Sequence, residues 1–171
     1  MGSAHGYRYV GPADLAERAR PGPDVITVTS AQALTRWLAG RPADELGEPF
    51  TFVVGLGGQL RLAPRRSEHV DCAAGQPVLA AGEVLFACEG ARWLVSEISN
   101  QSTGYCPDPD SWPVVASALD RIGLAHPGGF THKFVFRRCP ACGQVNIVRD
   151  GSFACAVCDG ALPERWNVGP A

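Results

Sequence analysis

Cys139-Pro140-Ala141-Cys142-Gly143 is followed, after twelve further residues counted from Cys142, by Cys155-Ala156-Val157-Cys158. Two Cys-x-x-Cys pairs at this separation offer four soft thiolates to one tetrahedral ion, and Zn²⁺ is the natural occupant. Four protein ligands leave no coordination position for water, so the spacing points to one structural ion per chain and away from metal-centred catalysis. A disulfide, a redox Cys-x-x-Cys, a rubredoxin-like iron site and unlinked core cysteines are the competing readings of the same residues.

Outward from the cysteines, the segment between the pairs reads as a hairpin. Val145, Ile147 and Val148 are β-prone, Asp150-Gly151 suits a tight turn with positive φ, and Phe153 starts the return. Gly143 lets backbone amides approach the sulfurs. The arrangement resembles a zinc ribbon, which implies two cysteine turns held face to face by metal. So short a segment buries too little apolar surface to fold alone, so metal binding would supply much of its stability. Lys133, Arg137, Arg138 and Arg149 can offset the negative charge of four thiolates around Zn²⁺, and no acid interrupts them. These cations also raise nucleic-acid binding as a reading. Against it stand a net charge of −2 and the lack of a basic stripe interleaved with aromatics.

The chain has 171 residues, 46% of them hydrophobic, which suits one cored domain plus the ribbon. No apolar run approaches the roughly 18 residues of a membrane span, and no basic start precedes a leader-like hydrophobic stretch. Of seven cysteines the metal would take four, leaving Cys72, Cys88 and Cys106. That odd remainder beside a thiolate site indicates a reducing cytoplasm.

Strands are expected at 7–10, 25–28, 50–54, 59–62, 84–87, 92–98 and 130–137. One helix is expected to follow Thr29 and Gln32, which have capping-box spacing, with Leu34, Trp37 and Leu38 facing inward and Gly40 ending it. A polar linker spans 41–48. A second helix is expected over 111–122, capped by Asp110 and stopped by Gly123, with Trp112, Val115, Leu119 and Ile122 on one face. The fold class is therefore α+β: a small, mainly antiparallel sheet with two principal helices, followed by a C-terminal zinc ribbon. The expected division is an α+β domain over 1–136 and a ribbon with its tail over 137–171.

Two polar stretches stand out in the larger part. One is Ser67-Glu68-His69-Val70-Asp71-Cys72 with the later Ala80-Ala81-Gly82-Glu83. The other runs Ser99-Asn100-Gln101-Ser102-Thr103-Gly104-Tyr105-Cys106-Pro107. Such a run can close a sheet edge through side-chain hydrogen bonds or line a cleft. His69, Ala80-Ala81-Gly82-Glu83 and Ser102-Thr103-Gly104-Tyr105-x-Pro107 resemble a pattern in some bacterial polymorphic-toxin domains and in plant IQ-motif calmodulin-binding proteins. The likeness spans residues 50–125. Val70-Asp71 stands where that pattern has paired serines, and its second histidine has no counterpart here.

An enzymatic reading makes His69 the general acid or base, Glu83 its partner, and Ser102 or Tyr105 a donor to developing negative charge. Cys72 and Cys106 read as core thiols, with a His69–Cys72 metal pair or a cysteine nucleophile as minor alternatives. His5, His126 and His132 form no metal pattern. Trp37 and Trp112 read as helix anchors, Trp93 as a sheet residue and Trp166 as a tail dock. The leading function is an intracellular zinc-binding accessory or interaction protein with a protein partner. The alternatives are an enzyme at His69 and Tyr105, and nucleic-acid binding through Arg137, Arg138 and Arg149.

Overall fold

The computed structural model describes residues 6–169; His5 lies outside them. Five antiparallel strands form the main sheet: β1 (Ile26–Val28), β2 (Phe50–Gly55), β3 (Leu60–Ala63), β4 (Val78–Glu89) and β5 (Arg92–Ile98), in the order β1-β3-β2-β4-β5. A second, two-stranded sheet pairs β6 (Val135–Arg138) with β7 (Val145–Val148). The helices are α1 (Ala13–Arg18), α2 (Ala31–Ala39), α3 (Ala43–Leu46), α4 (His69–Cys72) and α5 (Trp112–Arg121). The α+β expectation, with α2 and α5 as the two principal helices, holds. No helix among the described residues is long and apolar enough to cross a membrane.

The sheet is covered on both faces, which explains why β2 reads as a continuous apolar run and not as an alternation. Phe52 and Val54 join Leu34 and Leu38 of α2 and Val115 and Leu119 of α5 in the larger core. Val53 points the other way, into a second layer with Val70 and Cys72 of α4, Ala63, Val78 and Tyr105. Trp37 and Trp112 anchor their helices as expected, with ring centroids 5.2 Å from Phe50 and 5.1 Å from Phe130.

Several local expectations need correction. Ser30, one residue beyond Thr29, is the cap of α2, since its Oγ accepts the Ala33 N–H at 3.0 Å. Asp108, not Asp110, supplies the cap before α5: its Oδ1 accepts the Asp110 N–H at 3.0 Å and starts a 3₁₀ turn that leads into the helix. Gly123 does end α5, at φ +72°. The 41–48 linker contains α3, and the strand expected at 7–10 is one antiparallel bridge between Tyr7 and Val78.

The largest differences concern β4 and β6. Ala80-Ala81-Gly82-Glu83 lies in the N-terminal half of β4, which begins six residues before the expected strand at 84. Small residues have low strand propensity, but packing overrides it here. A Cβ at Gly82 would stand 1.9 Å from the Ser99 carbonyl oxygen and 3.0 Å from the Phe52 ring. The segment 130–137 is not a strand of the main sheet. Thr131 and His132 donate their backbone N–H groups to the Ile98 carbonyl, and the chain then leaves to pair β6 with β7.

Candidate metal centre

The first Cys-x-x-Cys is the turn joining β6 to β7. The Cys139 N–H donates to the Gln144 carbonyl and the Gly143 N–H to the Cys139 carbonyl, both at 2.8 Å. The second turn repeats this pattern: Cys155 N–H to Gly160 carbonyl at 2.8 Å, Asp159 N–H to Cys155 carbonyl at 2.9 Å. Gly143 and Asp159 occupy equivalent positions, both left-handed, at φ +78° and +59°. Two turns of different sequence thus present their sulfurs in the same way. Between them, Asp150 and Gly151 both have positive φ and the Ser152 N–H closes onto the Arg149 carbonyl at 2.9 Å, a type I′ turn as the sequence indicates. The main partner of β7 is nonetheless β6, before the first cysteine, and not the return after the turn.

All four Sγ atoms lie within 4.8 Å of one another, and among the described residues they are the one such group of three or more His, Cys, Asp or Glu ligand atoms. Cys139 and Cys158 are 3.5 Å apart across the two turns, and Cys142 and Cys155 3.6 Å. Sulfurs held about 2.3 Å from a tetrahedral ion stand about 3.8 Å apart, whereas a disulfide needs about 2.05 Å. The separations fit a shared ion, and all seven cysteines are free. Each turn contributes one buried sulfur-bearing residue, Cys139 or Cys155, and one exposed, Cys142 or Cys158.

Electrostatics divides the four thiols in the same way. The amide N–H groups of Val157 and Cys158 hold the Cys155 thiol down at about 6, and the Cys142 amide lowers Cys139 against the cost of burial. The Gln144 and Gly160 amides favour the thiolates of Cys142 and Cys158, but both thiols are raised: Cys142 by desolvation and then by the Cys155 and Cys139 sulfurs, and Cys158, to about 12, chiefly by the Cys139 and Cys142 sulfurs. Four thiolates this close would repel one another, and a divalent cation among them would allow all four to ionise.

Asn146, which sequence reasoning passed over, joins the two turns. It sits buried on β7, donates from Nδ2 to the Gln144 carbonyl at 2.9 Å and to the Cys155 Sγ at 3.5 Å, and accepts the Ala156 N–H at 2.9 Å. The only signal for it is an amide between the apolar Val145 and Ile147, on the opposite face of the strand. Of the four cations expected to offset the thiolates, Arg137 and Arg138 direct their donors elsewhere. Arg137 is buried and donates to the carbonyls of Pro163, Glu164 and Phe136 and to Asp108. Arg138 donates to the Gly143 and Val168 carbonyls.

The four residues of the enzymatic reading are distributed over different contacts. His69 Nε2 lies 2.8 Å from the Gly82 carbonyl oxygen, and burial lowers its pKa. Glu83 lines a cavity of about 220 Å³ with Glu97, Gln101 and His132, and the lining includes none of His69, Ser102 and Tyr105. Ser102 Oγ accepts the Tyr105 N–H at 3.3 Å. The Tyr105 hydroxyl, whose pKa burial raises, donates to the Gln76 carbonyl at 2.8 Å. His69 and Tyr105 therefore both end on backbone carbonyls. Burial pushes the Cys72 and Cys106 thiols up to about 12, which keeps them protonated core residues.

The long polar run after β5 closes a sheet edge. Asn100, fully buried, accepts the Phe134 N–H at 2.8 Å and donates to the Phe134 and Pro107 carbonyls at 2.7 and 2.9 Å. Asn167 treats Arg138 in the same way, at 2.8 and 2.7 Å. The two amides hold the ends of β6 as a neighbouring strand would. Trp166 docks the tail, its Nε1–H donating to the Cys106 carbonyl at 2.7 Å and its ring meeting Tyr7 edge-on.

No protein-family model, curated protein or solved structure matches this chain. The likeness of residues 50–125 to the toxin and calmodulin-binding proteins gains no support from them. What is shown is an α+β protein whose C-terminal part gathers four cysteines able to coordinate a metal.

Proposed function

We propose that the chain is a zinc-stabilised interaction protein, with one Zn²⁺ per chain closing a zinc ribbon over residues 137–171 against an α+β domain over residues 1–136. The convergence of four Sγ atoms within 4.8 Å, on two turns of matching hydrogen-bond pattern, carries the reading. Cys139, Cys142, Cys155 and Cys158 would be the ligands, and the ion would supply cross-linking and charge neutralisation alone, because a four-thiolate shell is closed to water and substrate. Asn146 and the amide N–H groups then fix the sulfurs in place.

A protein partner is favoured over nucleic acid. Arg137 and Arg138 spend their donors on carbonyls, whereas the ligand turns expose Pro140, Ala141, Ala156 and Val157, the last 68% exposed. Metal analysis of the purified chain is expected to give about one zinc per chain. Chelation should then disorder the β6–β7 hairpin. A metal-free chain in which the hairpin stays folded overturns the proposal. Titration with single-stranded DNA at low salt, where phosphate attraction is strongest, is expected to show no binding.

A further inference from the structure

Arg61 enters the smaller core layer from β3, opposite Val53 of β2 and Thr27 of β1. Alternate residues share a face, so Gln59 and Ala63 accompany it. That layer is otherwise apolar around it, with Val53, Ala63, Cys72 and Val78. The guanidinium Nε is enclosed and has no hydrogen-bond partner. One Nη1–H reaches the Cys72 carbonyl at a long 3.4 Å. Among the described residues Arg61 has no ion-pair partner, whereas Arg41 pairs with Asp24 and Arg137 with Asp108. The residue as a whole is half-buried, but an enclosed N–H without a partner is costly.

A cavity of about 210 Å³ opens beside this group, a space of about seven water volumes. Gln59 and Gln76 line it together with the Gly55-Leu56-Gly57 turn. The Gln59 amide lies across the turn, 2.7 Å from where a Cβ at Gly55 or Gly57 would stand. The Gln76 side chain is exposed, and its residue bonds through the main chain, N–H to Ala73 and carbonyl to Tyr105. One uncompensated guanidinium thus faces a small cavity flanked by two amide side chains.

We propose that this cavity binds a small oxyanion, a carboxylate or phosphate group paired with Arg61 and flanked by the Gln59 and Gln76 amides. The planar fork of a guanidinium matches either group, and Val53 and Val78 form an apolar wall beside it. The site shares no residue with the cysteine cluster and does not depend on it.

The test is titration of the zinc-loaded full-length chain with inorganic phosphate and, separately, with succinate, followed by amide chemical shifts and calorimetry. Saturable shifts at Gly55, Gly57 and Gln59 are expected with at least one. A response to phosphate alone assigns a phosphate ligand, to succinate alone a carboxylate, and to both an unselective oxyanion site. Arg61→Met should weaken binding by about tenfold or more, the loss expected for a charge-assisted contact. Gln76→Glu provides a second variant that leaves the core intact. Its carboxylate should pair with Arg61 from the cavity wall, raise the melting temperature and abolish anion binding. No saturable response to either anion up to about 10 mM, or undiminished binding in Gln76→Glu, overturns the proposal.

Discussion

Asn146 and His69 show how single polar side chains settle local geometry here. Asn146 touches both ligand turns at once, donating to the Gln144 carbonyl of the first and the Cys155 sulfur of the second and accepting the Ala156 N–H. Outer-shell partners of this kind tune metal affinity by about 10- to 100-fold. Asn146→Ala is therefore expected to lose zinc to a chromophoric chelator at least about tenfold more readily than the parent, with the fold otherwise kept. Equal affinity for the two would show that the amide only packs. His69 makes a different prediction. Burial depresses its pKa below the ordinary 6.5, with the bond to Gly82 opposing the shift. The unfolded chain consequently takes up a proton near pH 6.5 that the native state resists, so stability is lost as pH falls below that value and is unaffected above it. His69→Gln keeps a donor for the Gly82 carbonyl and removes the titration. The fall in urea midpoint from about pH 7.5 to about pH 5.5 should be smaller in this variant than in the parent. An identical fall in both contradicts the assignment.

At the scale of elements, β4 carries the clearest lesson. Its N-terminal half, Val78 to Glu83, runs through alanine and glycine, residues that seldom make strands, and pairs with β2 along its length. The reason is steric and lies in two other elements: the Ser99 carbonyl beyond β5 and the Phe52 ring of β2 both crowd Gly82. Gly82→Ala should destabilise the chain by about 3 kcal/mol, the upper range for overpacking a rigid core, because the obstructing atom is backbone and cannot rotate away. Chemical denaturation measures it, and a cost below about 1 kcal/mol would mean that the end of β5 is free to move. Elements with strong periodicity were legible without such information. Leu34, Trp37 and Leu38 marked α2, and Trp112, Val115 and Leu119 marked α5, since a 3.6-residue period needs no knowledge of the partner surface. The cap positions moved by one or two residues, because Ser30 or Thr29 can each serve and only the observed bond to Ala33 selects between them.

For the whole molecule, the question is how a small cysteine-bearing hairpin is held to a larger body. Asn100 and Asn167 grip opposite ends of β6 by its own backbone, Arg137 ties it to Asp108 and the tail, and Trp166 closes over Tyr7. Asn100 alone makes three hydrogen bonds in a fully buried position. Asn100→Ala leaves the Phe134 N–H and two carbonyls without that partner, a loss of about 3 kcal/mol at roughly 1 kcal/mol per bond. Trp166 fluorescence should report the consequence: the variant is expected to expose Trp166 at a lower denaturant concentration than that at which the main sheet melts by far-UV circular dichroism. Coincident transitions at the parent's midpoint would show that Asn100 is dispensable to docking.

The sequence by itself determined the cysteine quartet, the turn at Asp150-Gly151, the two amphipathic helices and the α+β class. Each of these depends on spacing or local conformation that neighbouring residues impose. Only the tertiary structure decided that β6 pairs with β7 and not with the main sheet, that Ala80 to Glu83 is a strand, and that Arg137 and Arg138 turn to carbonyls and not outward. It alone also set Arg61 beside a cavity without a counter-charge. Strand partners, steric clearance and charge pairing all depend on atoms distant in the chain, and no local pattern encodes which of them will meet.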